Sequence, residues 1–118
     1  MRDLAPDITR QRLLIEGYFT TPVDRDAVER YLLGLARHLE LTTYGRPVVH
    51  SPAGEGKPEN QGFDAFIPLI DSGISLYVWS AHRFFAVVLF TCKRFDVERA
   101  LEYTRRLFEP SALEHQAF

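Results

Sequence analysis

Little in this chain is set aside for the chemistry that usually betrays a function. It holds a single cysteine, Cys92, which excludes an internal disulfide and any multi-cysteine metal site. Neither sign of charge dominates: 14 Lys and Arg stand against 16 Asp and Glu, for a net charge of −2. The basic excess or stripe of a nucleic-acid binder is lacking, so no nucleic-acid partner is expected. No apolar run approaches the roughly 18 residues that a membrane span needs, so no membrane partner is expected either. The opening MRDLAPDITRQR is charged and has no apolar h-region, so no signal peptide is visible in it. With a free thiol that suits a reducing compartment, the expectation is a cytoplasmic protein. No metal is expected, because His50 has no second metal-type residue at a helpful spacing. What is present, 46% hydrophobic and 25% charged in 118 residues, is the composition and length of one globular domain spanning 1–118.

Apolar periodicity divides the chain into elements. Residues 10–19 (RQRLLIEGYF) read as a strand. In PVDRDAVERYLLGLARHLEL the residues Val28, Tyr31, Leu32, Leu35 and Leu39 form one helical stripe, with Asp24 as N-cap. Thr42 to His50 reads as a second strand, interrupted by Gly45 and Pro47. SPAGEGKPENQG is then a long polar loop, of a length that suggests disorder or a task near a site. Strands follow at 63–71, 73–80 and 84–92, the last two joined closely enough for an antiparallel hairpin. Pro68 within 63–71 predicts an edge or a bulge. The 84–92 strand is apolar at nearly every position, so it is covered on both faces or lies in an oligomer interface. A second helix starts at the N-cap Asp96, buries Val97, Ala100, Leu101, Thr104, Leu107 and Phe108, and stops at Glu109-Pro110. The order β-α-β-β-β-β-α predicts an α+β two-layer sandwich, a mostly antiparallel sheet with two helices on one face.

Residues 62–92 carry more than element order. GFDAFIPLIDSGISLYVWSAHRFFAVVLFTC resembles, without a gap, the core of the small bacterial and archaeal S-adenosylmethionine (AdoMet) decarboxylases. That family has a Gly-Val-Ser-Gly strand, then Glu-Ser-His-Ile-Ser-Ile-His-Thr-Trp-Pro-Glu, then an apolar strand ending in Phe-Thr-Cys. RLLIEGY resembles the family's opening strand and ALEYTRRLFEPSALE its last helix. The resemblance implies self-cleavage before Ser72, which would become a pyruvoyl cofactor. It also implies Cys92 as the acid that reprotonates the product carbon, and Trp79 in the neighbourhood of the binding pocket. Without the motif, a cysteine closing an apolar strand is most often a small buried hydrophobe, and a serine before a strand is uninformative. For Trp79, core packing and pocket lining remain equally open.

Several chemically important positions differ from the family pattern. Asp71 stands for the glutamate before the serine, Gly73 for the histidine after it, and Tyr77 for the histidine that assists processing. Ala81 stands for the glutamate that contacts the ribose hydroxyls of AdoMet, and Asp64 for the serine of Gly-Val-Ser-Gly. Loss of a bidentate acceptor at Ala81 removes a means of holding a nucleoside diol. Asp64 and Tyr77 are a candidate compensating pair. Arg83, in the turn after Trp79 beside His82, is a candidate for carboxylate recognition, although a solvated turn residue is the commoner case.

Two functions fit this pattern. One is a self-processing pyruvoyl-dependent decarboxylase linked to polyamine biosynthesis. Its small-molecule substrate would be AdoMet or a small amino acid. The other is an unprocessed, non-catalytic homologue acting as a binding or regulatory subunit. The resemblance also implies a homodimer with the site near its interface.

Overall fold

A computed structural model describes residues 1–52 and 56–118. The elements are β1 (Gln11–Tyr18), α1 (Arg25–His38), β2 (Val48–His50), a 3-10 turn (Pro58–Asn60), β3 (Gly62–Leu69), β4 (Ser72–Trp79), β5 (Phe84–Thr91), α2 (Val97–Phe108) and β6 (Ala112–Ala117). The strands form one six-stranded sheet in the order β2-β3-β4-β5-β1-β6, antiparallel at every pairing. This is the expected two-layer α+β architecture, with one strand more than the periodicity suggests. Of the long loop expected over 51–62, residues 53–55 lie outside the described residues, and Pro58–Asn60 forms the 3-10 turn.

Both helices start where an aspartate can cap them. The Asp24 carboxylate accepts from the backbone N–H of Ala27 at 2.8 Å, and that of Asp96 accepts from Glu98 N–H at 2.9 Å. Each satisfies donors that the first helical turn leaves unpaired. Helix α2 ends as Glu109 takes a left-handed conformation, φ 41°, just before Pro110.

Alternate residues of the strands bury Leu13, Ile15, Ile67, Leu69, Ile74, Leu76, Phe85, Val87 and Leu89. From the helices Val28, Tyr31, Leu32, Leu35, Leu101 and Phe108 meet them. Burying each such side chain contributes about 1.5–3 kcal/mol. The Phe108 ring sits 4.5 Å from that of Phe85 and 4.7 Å from that of Tyr31. Inside this apolar layer the Tyr31 hydroxyl bonds to Thr104 Oγ1 at 2.8 Å, and Thr104 in turn donates to the Ala100 carbonyl. Val97 and Leu107, expected in the buried face of α2, pack only partly against the core.

Strand β2 is shorter than the expected 42–50, and that shortening accommodates Pro68. Strand β2 pairs only with Asp64–Phe66 of β3, so Pro68 lies beyond its end, where no ladder N–H is required. The chain before β2 instead touches β3 through a Thr43–Leu69 bridge.

Among the described residues, the other face of the sheet carries no helix. Its register aligns Val48, Phe66, Ser75, Val88 and Leu14 in one row, and His50, Asp64, Tyr77, Ala86, Glu16 and Glu114 in the next. Tyr18, Phe66, Tyr77 and Phe90 are exposed there. Strand β5 therefore presents apolar residues to the helices on one side and to an open face on the other.

Candidate active site

The short connection Ile70–Asp71 joins β3 to β4, with Leu69 opposite Ser72. This turn is held from both flanks. Ile70 N–H donates to the Thr42 carbonyl at 2.9 Å, and Cys92 N–H donates to the Asp71 carbonyl at 2.9 Å. Ser72 follows with φ 117°, a backbone region that residues with a Cβ rarely occupy and that costs on the order of 1–3 kcal/mol. It is partly exposed, and among the described residues its hydroxyl has no hydrogen-bond partner.

Cys92 reaches this turn because Ser72 pairs with Thr91, the last residue of β5. The buried Thr91 hydroxyl donates to the Lys93 carbonyl at 2.7 Å, bending the chain just after the cysteine. The free thiol of Cys92 is exposed. The bland expectation of a buried structural cysteine therefore does not describe it. The backbone thus brings Asp71, Ser72 and Cys92 to the same end of the β4–β5 ladder.

Gly73 has a local physical reason. A Cβ built there would fall 2.5 Å from two atoms of the Phe66 ring, because Phe66 lies diagonally across the β3–β4 ladder and covers the glycine. An aromatic ring over a strand glycine recovers some of the packing that the glycine lacks. A histidine at this position requires Phe66 to move.

The remaining candidates are not brought to this end of the β4–β5 ladder within one chain. Tyr77 is five residues along β4 from Ser72, or about 16 Å at a strand rise of ~3.3 Å per residue. Asp64 lies directly opposite Tyr77 in the register, yet no hydrogen bond joins the two among the described residues. They are neighbours on the open face without being a bonded pair. Trp79 is at the far end of β4, about 23 Å from Ser72 at the same rise. It is only partly buried and belongs to an aromatic shelf, its ring 5.4 Å from Phe84, with Tyr18 on the other side at 5.6 Å. Tyr18, Trp79, His82 and Phe84 line an open cavity of about 380 Å³. Arg83, φ 52°, closes the adjoining turn by donating its N–H to the Ser80 carbonyl at 3.2 Å, and its side chain forms no ion pair among the described residues. His50, at the β2 edge, is exposed and belongs to no cluster of metal ligands among the described residues.

Sequence reasoning missed Thr42 and Thr91. Thr42 acts through its backbone carbonyl, which leaves no residue-type signal. For Thr91 the signal is present: a hydroxyl closing an apolar strand must find an acceptor when buried.

Comparison with known proteins bears on the fold and the family. The family model for S-adenosylmethionine decarboxylase matches residues 12–118. No curated protein matches significantly. Among solved structures, the crystal structure of the adenosylmethionine decarboxylase from Aquifex aeolicus superposes with a TM-score of 0.68. It is 22% identical, and the match covers 94% of this chain and 89% of that one. With a six-stranded antiparallel sheet, two helices and the motif strands in place, the chain belongs to the S-adenosylmethionine decarboxylase family.

Proposed function

We propose that this protein is a pyruvoyl-dependent decarboxylase that makes its cofactor by cutting itself at Asp71–Ser72. The observation that carries this reading is the hydrogen bond from Cys92 N–H to the Asp71 carbonyl. That carbonyl is the one the Ser72 hydroxyl would attack. In the attack a bond forms from Ser72 Oγ to the Asp71 carbonyl carbon, and negative charge gathers on the Asp71 oxygen. An N–H already aimed at that oxygen stabilises the charge without reorganisation. The C–N bond then breaks to leave an ester. Loss of the Ser72 Cα proton expels the Asp71 carboxylate, and water replaces the nitrogen, released as ammonia. Positive φ at Ser72 raises the energy of the intact backbone relative to the cut one, which favours the reaction.

The residues present fit such a group. Ser72 is its source, the Ile70–Asp71 turn and β5 hold its surroundings, and the exposed Cys92 thiol stands in the residue next to Thr91, opposite Ser72. The group supplies an electron-accepting ketone for decarboxylation. Cys92 would deliver a proton to the product carbon from the β5 side.

The substrate class is a small amine bearing a carboxylate, AdoMet or a small amino acid, with polyamine biosynthesis as the setting. Ala81 offers no acceptor to a ribose diol, which favours a substrate without such hydroxyl donors over the nucleoside. A homodimer through the open sheet face fits the exposure there of the large side chains Tyr18, Phe66, Tyr77 and Phe90, since large apolar side chains grouped on one exposed face mark an interface. With a two-fold axis running across the strands, the aromatic shelf of one copy would lie over the Ser72 end of the other. Trp79 and Arg83 would then reach the site from the second copy.

A second reading is favoured by one specific observation. Tyr77 and Asp64, at the two processing positions, are remote from Ser72 within the chain and share no hydrogen bond. On that reading the protein stays uncut and acts as a binding or regulatory subunit. Intact mass spectrometry of the purified protein decides between them. Self-processing gives two species, 1–71 and 72–118, the latter blocked at its N-terminus. A single species near 13.6 kDa that persists on prolonged incubation overturns the first reading.

A further inference from the structure

At the β1 end of the sheet, a cavity of about 660 Å³ is lined by Arg10, Arg12 and Arg94 together with Asp3, Gln11 and Phe118. Three arginines beside a single acidic side chain, Asp3, are unexpected in a chain whose net charge is −2. The three arginines are not equally engaged. Arg10 is committed to the Asp3 carboxylate and to the Ala5 carbonyl at 3.0 Å. Asp3 is correspondingly held below the usual carboxylate range, first by the Ala5 N–H and then by Arg10. Arg12 and Arg94 have no ion-pair partner among the described residues.

Arg12 is the more informative of the two. Its Nε is buried and has no hydrogen-bond partner among the described residues. Its guanidinium carbon lies 5.7 Å from the centre of the Phe118 ring, an arrangement that holds the planar group by cation–π attraction. A buried donor without an acceptor costs about 1–3 kcal/mol, and it ceases to do so when an acceptor arrives.

Arg94 is carried to the cavity by a specific device. The Gln11 side chain donates to the Phe95 carbonyl at 2.9 Å and accepts from the Phe95 N–H at 2.9 Å. This two-point clamp fixes the loop after β5 against β1, with Arg94 next in sequence.

We infer that this cavity is a binding site for a small organic anion with at least two terminal oxygens, a carboxylate or a phosphate, seated by Arg12 and Arg94. A planar guanidinium fork matches such a group bidentately. The volume lies within the range of small-molecule pockets and exceeds what a bare ion fills. The site does not depend on self-processing at Ser72.

The test is titration of the isotope-labelled full chain with inorganic phosphate and, separately, with succinate, following the arginine Nε–Hε resonances by NMR. Sodium chloride at matched ionic strength is the reference. The Arg12 signal, assigned by its loss in Arg12→Lys, is expected to shift saturably at millimolar ligand. Arg12→Lys is expected to weaken binding about tenfold, because the ammonium keeps the charge and loses the fork. Arg94→Gln is expected to weaken it severalfold, and Arg37→Gln on α1 to leave it unchanged. Preference for phosphate or for succinate identifies the anion class, and either supports the site. Running the series on Ser72→Ala as well separates it from the proposed reaction. A shift reproduced by sodium chloride, or equal affinity in wild type and Arg12→Lys, overturns the inference.

Discussion

The Cys92 backbone N–H and the Asp71 carbonyl oxygen are 2.9 Å apart and hydrogen-bonded, so the residue offering the candidate catalytic thiol also holds the candidate scissile carbonyl. Main chain and side chain of Cys92 are thereby given separable tasks. Cys92→Ala keeps the N–H and removes the thiol. Self-cleavage is expected to continue in it, while decarboxylation falls by about 10²–10⁴, the usual worth of a positioned acid. Intact mass and carbon dioxide release, measured on the same preparation, check the two halves. Loss of cleavage in Cys92→Ala counts against the division.

Gly73→Ala is expected to displace the Phe66 ring and to destabilise the fold by at most about 1 kcal/mol, because the added methyl meets only the far edge of that exposed ring. The double variant Gly73→Ala/Phe66→Ala should lose much of that penalty, since the obstructing ring is gone. Urea unfolding of the two single variants and the pair measures the coupling.

Thr104→Val should cost about 1–3 kcal/mol by leaving the buried Tyr31 hydroxyl without its partner, more than the ~0.5–1.5 kcal/mol expected for Tyr31→Phe. Burial also pushes the Tyr31 hydroxyl above its ordinary value of 10.0, and Tyr103 moves in the same direction, chiefly by burial. The unfolded chain therefore releases these protons first. Stability is fully present below pH 10 and declines as pH rises toward the folded-state values. Thermal unfolding across that range should show the decline, with a shallower slope in Tyr31→Phe.

Val88→Asp places a charge in the middle row of the open face, between Ser75 and Leu14. A dimer formed through this face should dissociate at micromolar concentration, with the monomer still folded. Sedimentation of wild type and variant checks this, and a monomeric wild type would remove the basis for the interface.

Much of this architecture was legible in the residues. The α1 stripe at Val28, Tyr31, Leu32 and Leu35 is buried as its spacing implies, and both aspartate caps form where they were read. Ser72 and Cys92 come to the same end of the sheet because their separation in the motif is the length of the β4–β5 hairpin. Strand β6 was not legible. Its residues, ALEHQA, are nearly all exposed, with only Leu113 packing against the core. Alanine, glutamate, histidine and glutamine have little strand preference of their own. Pairing with β1 imposes that conformation, and a partner strand cannot be read from a local window. The Phe66 cover over Gly73 was hidden for the same reason: it crosses a ladder diagonally.

The sheet order has a consequence for a protein that cuts itself between β3 and β4. Strand β1 belongs to the segment before the cut, yet it lies between β5 and β6, both of which follow it. Strands β3 and β4 stay laddered across the break. The two pieces would be interleaved, each completing the other's sheet, so severing the peptide bond would free an end without freeing a fragment. Separating them would require unfolding the sheet, and mixing them afterwards becomes a problem of co-folding two chains.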